Sequence, residues 1–211
     1  MRIVYDKDQL LESELEASPL AQFNKWLHEA VAVGPEAMVL STADANGVIS
    51  SRSVLLKGID SRGLTFYTNY ESRKAQEISV HNQVTVVFPW YPLHRQVVVS
   101  GTVTKVSREE AAEYWAVRPH MSQLGAMASA QSSPIASREV LENTMAQLQQ
   151  EFPEDVEVPL PDNWGGFLIT VDNIEFWQGR RSRLHDRIRF LSRGNHDLSN
   201  ANDWSIQRFA P

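Results

Sequence analysis

The stretch AMVLSTADANGVISSRSVLL, residues 37–56, contains two runs rich in β-forming residues on either side of a turn signal. The runs extend from Ala37 to Thr42 and from Val48 to Leu56, with Asp44-Ala45-Asn46-Gly47 between them. Asn-Gly favours the tight turns that connect antiparallel strands, because both residues tolerate positive φ. The stretch therefore predicts a β-hairpin and, with it, an antiparallel sheet.

Further strands are predicted beyond the hairpin at short spacing. They are Leu64 to Thr68, Val84 to Phe88, Gln96 to Val106, Trp164 to Thr170, Ile174 to Gln178, Arg187 to Leu191 and Trp204 to Phe209. Helices are predicted from Ser18-Pro19 to about Val31, Ser72 to about Ser79, Ser107 to just before Pro119, Met121 to Met127 and Ser137 to Glu151. Because strands predominate without regular strand–helix alternation, we expect a mainly β (α+β) fold, an antiparallel barrel flanked by helices.

The composition of the 211 residues, 42% hydrophobic and 22% charged, is typical of one globular unit, so we expect a single domain, 1–211. The absence of cysteine excludes disulfides and sulfur-ligated metals, and the six histidines never lie three to five residues apart, so no metal site is predicted. The longest apolar stretch, Val84 to Leu93, is interrupted by two prolines and is shorter than the roughly 18 residues of a membrane span. With an acidic N-terminus in place of a signal peptide, we expect a cytoplasmic protein without membrane contact.

Charge is distributed unevenly along the chain. The net charge of −6 argues against a nucleic-acid partner, which requires a basic surface. Residues from Arg180 to Arg193, however, include six arginines and one acid, Asp186. This run either meets an anionic ligand or forms a solvated surface strand neutralised by acids from elsewhere in the fold.

Two neighbouring segments suggest a phosphate site. Ser72-Arg73-Lys74 opens a helix directly after Tyr67-Thr68-Asn69, and two cations in a first helical turn oppose the helix dipole unless an anion compensates them. The alternative is a frayed, solvated turn. Arg52 and Lys57 are cations in a strand otherwise suited to burial, and at five residues apart they point to opposite faces. One shared ligand therefore requires a bulge or a strand end near Lys57; two ligands also satisfy the spacing.

A second grip for a phosphate monoester is predicted near Pro119. Tyr114 and Arg118 lie four residues apart on one helical face, and Ser122 is predicted to cap the next helix. An arginine with two hydroxyls suits a phosphate, while the alternative is an exposed arginine beside a core tyrosine.

The segment Arg183-Leu184-His185-Asp186-Arg187 is the third candidate. If it is extended, Arg183, His185 and Arg187 share one face, and an imidazole between two guanidiniums is expected to titrate low and stay neutral. The alternative for His185 is an exposed strand residue.

Taken together, these segments resemble the pyridoxine/pyridoxamine 5′-phosphate oxidase family, from about residue 37 to residue 211. The matching motifs are RSVLLK (52–57), FYTN (66–69), SRKA (72–75), FPW (88–90), RQ (95–96), YWxxRP (114–119), SQxG (122–125), QSS (131–133), VPLPxxWGGF (158–167), EFWQG (175–179) and RLHDR (183–187). The resemblance implies a split-barrel homodimer with FMN at the subunit interface. It also implies oxidation of pyridoxine 5′-phosphate and pyridoxamine 5′-phosphate to pyridoxal 5′-phosphate, by hydride transfer from C4′ to flavin N5, with O2 as acceptor and H2O2 as product.

The resemblance further implies roles for individual residues. FMN is expected to contact Arg52, Lys57, Tyr67, Thr68, Arg73, Lys74, Gln96, Gln131, Ser132, Trp177 and Arg187. The substrate phosphate is expected on Lys57, Tyr114, Arg118 and Ser122, and the pyridine ring against the catalytic pair Arg183 and His185. Residues 1–17 are expected to form a lid in which Arg2 and Tyr5 contact substrate, although the family's Arg-Arg-Glu-Tyr is incomplete here. Two other functions remain open from the sequence, a split-barrel flavin reductase and a non-catalytic flavin or pyridoxal-phosphate carrier.

Overall fold

The computed structural model describes residues 8–211. In this range the helices are α1 Pro19–Glu29, α2 Arg73–Val80, α3 Arg108–Ala116, α4 His120–Ala128 and α5 Arg138–Glu151. The strands are β1 Ala37–Ala43, β2 Ile49–Leu55, β3 Gly58–Asp60, β4 Gly63–Asn69, β5 Gln83–Trp90, β6 Arg95–Lys105, β7 Trp164–Gln178, β8 Asp186–Ser192 and β9 Trp204–Arg208. All strand pairings in the described chain are antiparallel, and the prediction of a mainly β fold with flanking helices is confirmed.

The hairpin of β1 and β2 forms as predicted. The two strands pair over their full lengths, and Gly47 has φ 78°, a left-handed conformation that glycine adopts without strain. The Asp44 carboxylate accepts hydrogen bonds from the backbone N–H groups of Asn46 and Val48, each at 2.9 Å. Local side-chain chemistry thus determines this turn.

The sequence suited β2 to burial, but in the structure this strand is exposed. The strand lies at one end of the order β2-β1-β5-β6-β7-β4-β3, and none of its residues is buried in the single chain. Ile49 is 71% exposed. The apolar pattern therefore predicted a buried strand wrongly, because burial depends on what covers the sheet and not on the strand's own composition.

The sheet closes on itself. Leu56 and Lys57 alone separate β2, at one end of the strand order, from β3 at the other. The Lys57 N–H donates to the Thr65 carbonyl in β4 at 2.8 Å. Because neighbouring strands lie about 4.8 Å apart, two residues cannot cross an open sheet of this width, so the sheet curls into a barrel. The three-residue β3 was missing from the sequence prediction.

The longest strand, β7, lies at the centre of the architecture. The sequence predicted two strands here, Trp164 to Thr170 and Ile174 to Gln178, but they form one strand with a register shift between Ser100 and Gly101 of β6. A Cβ at Gly101 would lie 2.1 Å from the Thr170 carbonyl oxygen, so the close approach at this bulge requires glycine. The first half of β7 pairs with β4 and the second half with β8.

The main hydrophobic core fills the barrel, and a smaller core lies under the helices. Ser18 caps α1 by accepting from the Ala21 N–H, and Trp26 packs edge-to-face on Phe176 with ring centroids 5.2 Å apart. The smaller core consists of the buried residues Trp115, Leu124, Val158 and Trp164. It fastens α3 and α4 to the beginning of β7.

No helix within residues 8–211 has the length and apolarity needed to cross a membrane.

Candidate functional site

Polar side chains meet where β4 ends and α2 begins. Lys74 Nζ donates hydrogen bonds to Thr68 Oγ1 at 3.1 Å and to Gln131 Oε1 at 2.9 Å. Lys74 is 7% exposed, and burial, reinforced by the positive charge of Arg52, lowers the pKa of its ammonium to about 8. Thr68, Lys74 and Gln131, which the family resemblance assigned to one cofactor, thus lie together. Ser132, which follows Gln131, has a left-handed φ of 73°.

The buried carboxylate of Glu77 connects two more of the predicted cations. Arg52 Nη2 lies 3.0 Å from Glu77 Oε2, and Arg73 Nε lies 2.8 Å from Glu77 Oε1. Burial alone would raise the pKa of this carboxyl, but hydrogen bonds from two hydroxyls and two arginines lower it to about 2. Sequence reasoning missed Glu77; the available signal was its position four residues after Arg73 on one helix, where opposite charges pair.

The charge balance at the beginning of α2 favours an anionic ligand. The first turn contains no acid, and Ser72 makes no side-chain cap. Arg52, Arg73 and Lys74 carry three positive charges against the single negative charge of Glu77, which leaves a net charge of +2. We use the term phosphate cluster for Arg52, Arg73, Lys74 and Glu77. Its net charge and its helix N-terminus match a phosphate monoester dianion.

An aromatic stack lies at the beginning of β7, around Tyr67, the residue that precedes Thr68 on β4. The Tyr67 ring stacks on Tyr114 at 4.0 Å and on Trp164 at 5.5 Å between centroids. Arg118 lies over the Trp164 ring at 4.6 Å, and its Nε is buried without a hydrogen-bond partner in the described chain. Burial lowers the pKa of the Arg118 guanidinium and raises the pKa of Tyr67 to about 12. An anion at Arg118 would satisfy the buried donor and offset the desolvation of its charge.

Ser122 lies next to Arg118 but does not cap a helix. Arg118 Nη2 donates to the Ser122 carbonyl at 2.8 Å, so the two predicted residues are brought together. The capping prediction was wrong, because α4 begins at His120 with Pro119 at the N-cap, which places Ser122 inside the first turn. Lys57 lies just beyond the end of β2, and its side chain is exposed. A ligand shared by Arg52 and Lys57 requires a bulge or such a strand end.

Three other predicted residues lie side by side across the far end of the sheet. Gln96 of β6 pairs with Trp177 of β7, which pairs with Arg187 of β8. Arg187 Nη2 lies 2.9 Å from Oε2 of Glu175, a carboxylate that is 5% exposed. The row of Gln96, Trp177 and Arg187 is therefore half-buried, and the buried carboxylate of Glu175 holds its arginine.

His185 lies against the Trp177 ring at 4.7 Å between centroids. Its Nδ1 accepts the backbone N–H of Arg180 at 3.0 Å, which leaves Nε2 as the protonated nitrogen of a neutral ring. Burial and the charge of Arg183 lower the imidazole pKa, while Asp186 opposes the shift. The predicted direction is confirmed, with burial as the larger cause.

The backbone before β8 corrects one prediction. Arg181–Arg183 form a 3-10 turn in which Ser182 and Arg183 have φ of 59° and 63°. Arg183, His185 and Arg187 would share one face only if this segment were extended, and that condition is not met, because the strand begins only at Asp186. Arg183 reaches the region of His185 from a turn.

The predicted site residues form two groups at opposite ends of β7. Thr68 pairs with Gly165, and Trp177 follows Gly165 by twelve residues on the same strand. At about 3.3 Å per residue this is roughly 40 Å of strand, longer than a mononucleotide. One chain by itself does not bring together the residues assigned to FMN, nor Arg118 and His185, which were assigned to one substrate.

The N-terminal segment adjoins the second group. Arg208 Nε lies 2.7 Å from Glu12 Oε1, and its Nη1 lies 2.7 Å from Asp186 Oδ1. Glu12 is thereby fastened beside the His185 segment. The predicted substrate residues Arg2 and Tyr5 lie outside the described residues.

Within residues 8–211, no group of three or more His, Asp or Glu side chains has an arrangement suited to binding a metal ion.

Two family models match the chain. One described as "Pyridoxamine 5'-phosphate oxidase" matches residues 25–152, and one described as "Pyridoxine 5'-phosphate oxidase C-terminal dimerisation region" matches residues 164–211. A Streptomyces avermitilis protein named pyridoxine/pyridoxamine 5'-phosphate oxidase is 47% identical over 218 residues, covering 100% of this chain and 95% of the relative. A Rhodopirellula baltica protein of the same name is 45% identical over 216 residues, again covering 100% and 95%.

Solved structures share the fold. PhzG from Burkholderia lata 383, in complex with tetrahydrophenazine-1-carboxylic acid, is similar with a TM-score of 0.86 at 28% identity, over 97% of this chain and 98% of that one. A pyridoxamine 5'-phosphate oxidase-related, FMN binding protein from Nostoc punctiforme has a TM-score of 0.72 at 18% identity, covering 97% and 100%. The second likeness supports the split-barrel fold alone.

Proposed function

Because the chain belongs to the pyridoxamine 5'-phosphate oxidase family and is an oxidase, we propose that it converts pyridoxine 5′-phosphate and pyridoxamine 5′-phosphate to pyridoxal 5′-phosphate with FMN as cofactor. The observation that carries the proposal is the pair of separate phosphate grips, the phosphate cluster at α2 and the group around Arg118. A flavin mononucleotide and a B6 phosphate ester each bring one phosphate. Two separate grips match that pair of ligands.

The residues of the phosphate cluster fit the phosphate of FMN. Arg73 supplies charge-assisted donors at a helix N-terminus, Arg52 and Lys74 add positive charge beside it, and Thr68 and Gln131 complete the polar surroundings of Lys74. The remaining contacts proposed for FMN are Lys57, Tyr67, Gln96, Ser132, Trp177 and Arg187. Several of these lie at the far end of β7, so the site requires a second chain.

We place FMN at the interface of a homodimer on this ground. The phosphate cluster of one chain and the Gln96, Trp177 and Arg187 row of the partner would together enclose one cofactor. The edge strand β2, in which Ile49 is 71% and Leu55 48% exposed, supplies apolar surface for such an interface. The family model over residues 164–211, described as a dimerisation region, is consistent with it.

The substrate phosphate is proposed to bind Lys57, Tyr114, Arg118 and Ser122. The buried, unpartnered Nε of Arg118 is the donor that this phosphate would satisfy. Because the grip holds the phosphate alike in the ground and transition states, it supplies affinity and orientation more than chemistry.

Arg183 and His185 are proposed to hold the pyridine ring for reaction. When bound, FMN would accept a hydride from C4′ at N5 and pass the electrons to O2, giving H2O2. His185 stays neutral because burial and Arg183 lower its pKa, and its Nε2–H can donate a hydrogen bond to the substrate. No side chain needs to remove a proton from carbon, so the task of these residues is orientation.

Residues 1–17 are proposed to form a lid on this single-domain chain. The Leu10 N–H donates to Asp186 Oδ2 at 3.1 Å and the Arg208 contacts hold Glu12 beside Asp186, so the beginning of the described chain lies near the proposed ring site. A lid that closes over substrate excludes water and adds binding energy.

Anaerobic mixing of the purified, FMN-loaded protein with pyridoxine 5′-phosphate tests the function. We expect the visible flavin absorbance to bleach and, after air is admitted, to recover with release of peroxide. Binding without bleaching would instead identify a carrier or a reductase that uses another donor. A protein that takes up no FMN would overturn the proposal.

A further inference from the structure

Glu77 is the buried acid of the phosphate cluster, and its contacts are unusual for a cofactor site that takes an anion. The side chain is 5% exposed and lies on α2, one turn beyond Arg73. Its two oxygens receive Arg52 Nη2 at 3.0 Å and Arg73 Nε at 2.8 Å. A carboxylate beside an anion site costs electrostatic energy, so its presence requires a compensating role.

Two hydroxyl groups lie between the Glu77 carboxylate and the Arg52 guanidinium. Ser50 Oγ donates to Glu77 Oε2 at 2.7 Å and accepts from an Nη of Arg52. Thr42 Oγ1 also donates to Glu77 and accepts from the other Nη of Arg52. Each hydroxyl therefore bridges the guanidinium and the carboxylate, because it accepts from one and donates to the other. Both Nη groups of Arg52 are fixed in this way.

Arg73 is held differently. Its side chain is 59% exposed, so the ion pair with Glu77 is what restricts an otherwise mobile guanidinium. The Nε contact leaves both Nη groups of Arg73 for a ligand, because a guanidinium carries five donors. Glu77 thus orients two cations and leaves donors of Arg73 available.

We propose that Glu77 is a positioning residue for the cofactor phosphate: it orients Arg52 and Arg73 and sets the net charge of the phosphate cluster at +2 without touching the phosphate. The inference rests on the proposed function, since it takes FMN as the ligand of this cluster. Preorganised donors bind tighter than mobile ones because less conformational entropy is lost on binding.

The competing explanation is a purely structural ion pair. In that case loss of Glu77 lowers stability, and any loss of flavin binding follows from the damaged fold. Comparing FMN with riboflavin separates the two explanations, because riboflavin has the same ring system and lacks the phosphate.

The test is titration of the apo-protein with FMN and with riboflavin, followed by flavin fluorescence. Glu77→Gln keeps the shape of the side chain but places an NH2 group among donors. We expect FMN to bind about tenfold more weakly, which corresponds to one charge-assisted hydrogen bond, while riboflavin affinity changes less than about twofold. The matched control is Glu71→Gln, an exposed acid in the turn before α2 that pairs with Asn163; both affinities should stay at wild-type values.

Two further variants keep the test decisive. In an Arg73→Gln background the effect of Glu77→Gln should shrink, because Glu77 acts partly through Arg73. If Glu77→Gln does not fold, Glu77→Asp keeps the charge and withdraws the carboxylate by one methylene; FMN affinity should fall here too, with riboflavin affinity unchanged.

The inference is overturned if FMN and riboflavin lose affinity equally, or if FMN binds Glu77→Gln as tightly as wild type or tighter. A wild-type protein that binds FMN no better than riboflavin would instead reject the phosphate cluster itself, and with it the proposed function. The two failures are therefore distinguishable.

Discussion

FMN affinity should fall about tenfold between pH 7 and pH 9, because Lys74 must be protonated to hold the phosphate. The pKa of Lys74 is lowered to about 8 by burial and by Arg52. Roughly one lysine in eleven is then neutral at pH 7, and ten in eleven at pH 9. A bound phosphate dianion raises the pKa again, since an opposite charge favours the ammonium. Binding therefore takes up a proton above pH 8, and the affinity falls as pH rises.

The assay is a series of FMN titrations of the apo-protein at fixed ionic strength. Glu77, the carboxylate whose charge acts on Lys74, stays ionised over this range because its pKa is about 2. Lys74→Arg is the matched control because arginine keeps its charge, and its affinity should be nearly independent of pH. Riboflavin binding should likewise be flat.

Two results would refute the reasoning. A wild-type affinity that does not change between pH 7 and pH 9 would mean that Lys74 is charged throughout or does not contact the phosphate. A pH dependence that persists in Lys74→Arg would assign the titration to another group.

Four more predictions concern the substrate side, the assembly and the N-terminus. His185→Ala should lower kcat far more than FMN occupancy, measured as the flavin absorbance of the purified protein; loss of flavin instead would assign His185 to the cofactor. Arg118→Ala should raise KM for pyridoxine 5′-phosphate roughly 10- to 100-fold with little change in kcat, and an unchanged KM would exclude Arg118 from the phosphate grip. Chains carrying Lys74→Ala and chains carrying Arg187→Ala should each be inactive alone. After the two are refolded together in equal amounts, half of the dimers are mixed and each of these contains one intact site of two, so about a quarter of the wild-type activity should return. If no activity returns, both residues belong to a site within one chain. Glu12→Gln should raise KM severalfold with kcat preserved if the Arg208 contact anchors a lid, whereas wild-type kinetics would contradict that anchor.

Local chemistry predicted the secondary structure wherever neighbouring residues determine it. The Asp44 to Gly47 turn, the Ser18 cap and the helix that opens at Arg73 all form as predicted. The failures occur where distant parts of the chain decide. A bulge opposite Gly101 joins two predicted strands into β7, and the three-residue β3, which the pattern did not predict, pairs with β4.

The candidate residues themselves were predictable from the motifs, but their grouping was not. The sequence alone singled out Arg73 and Lys74, because two cations in a first helical turn conflict with the helix dipole. It did not identify Glu77, whose role depends on burial and on Arg52 arriving from another strand.

The sequence by itself determined the antiparallel barrel and the family, and it singled out the helix at Arg73 as a candidate phosphate site. These depend on residue type and on spacings within a turn or a strand. Only the tertiary structure decided that a buried carboxylate holds two of the cations, that Ile49 and Leu55 of β2 are exposed, and that each predicted ligand set is divided between the two ends of β7. The physical reason is that burial, ion pairing and distance are properties of the closed barrel, in which residues far apart along the chain become neighbours.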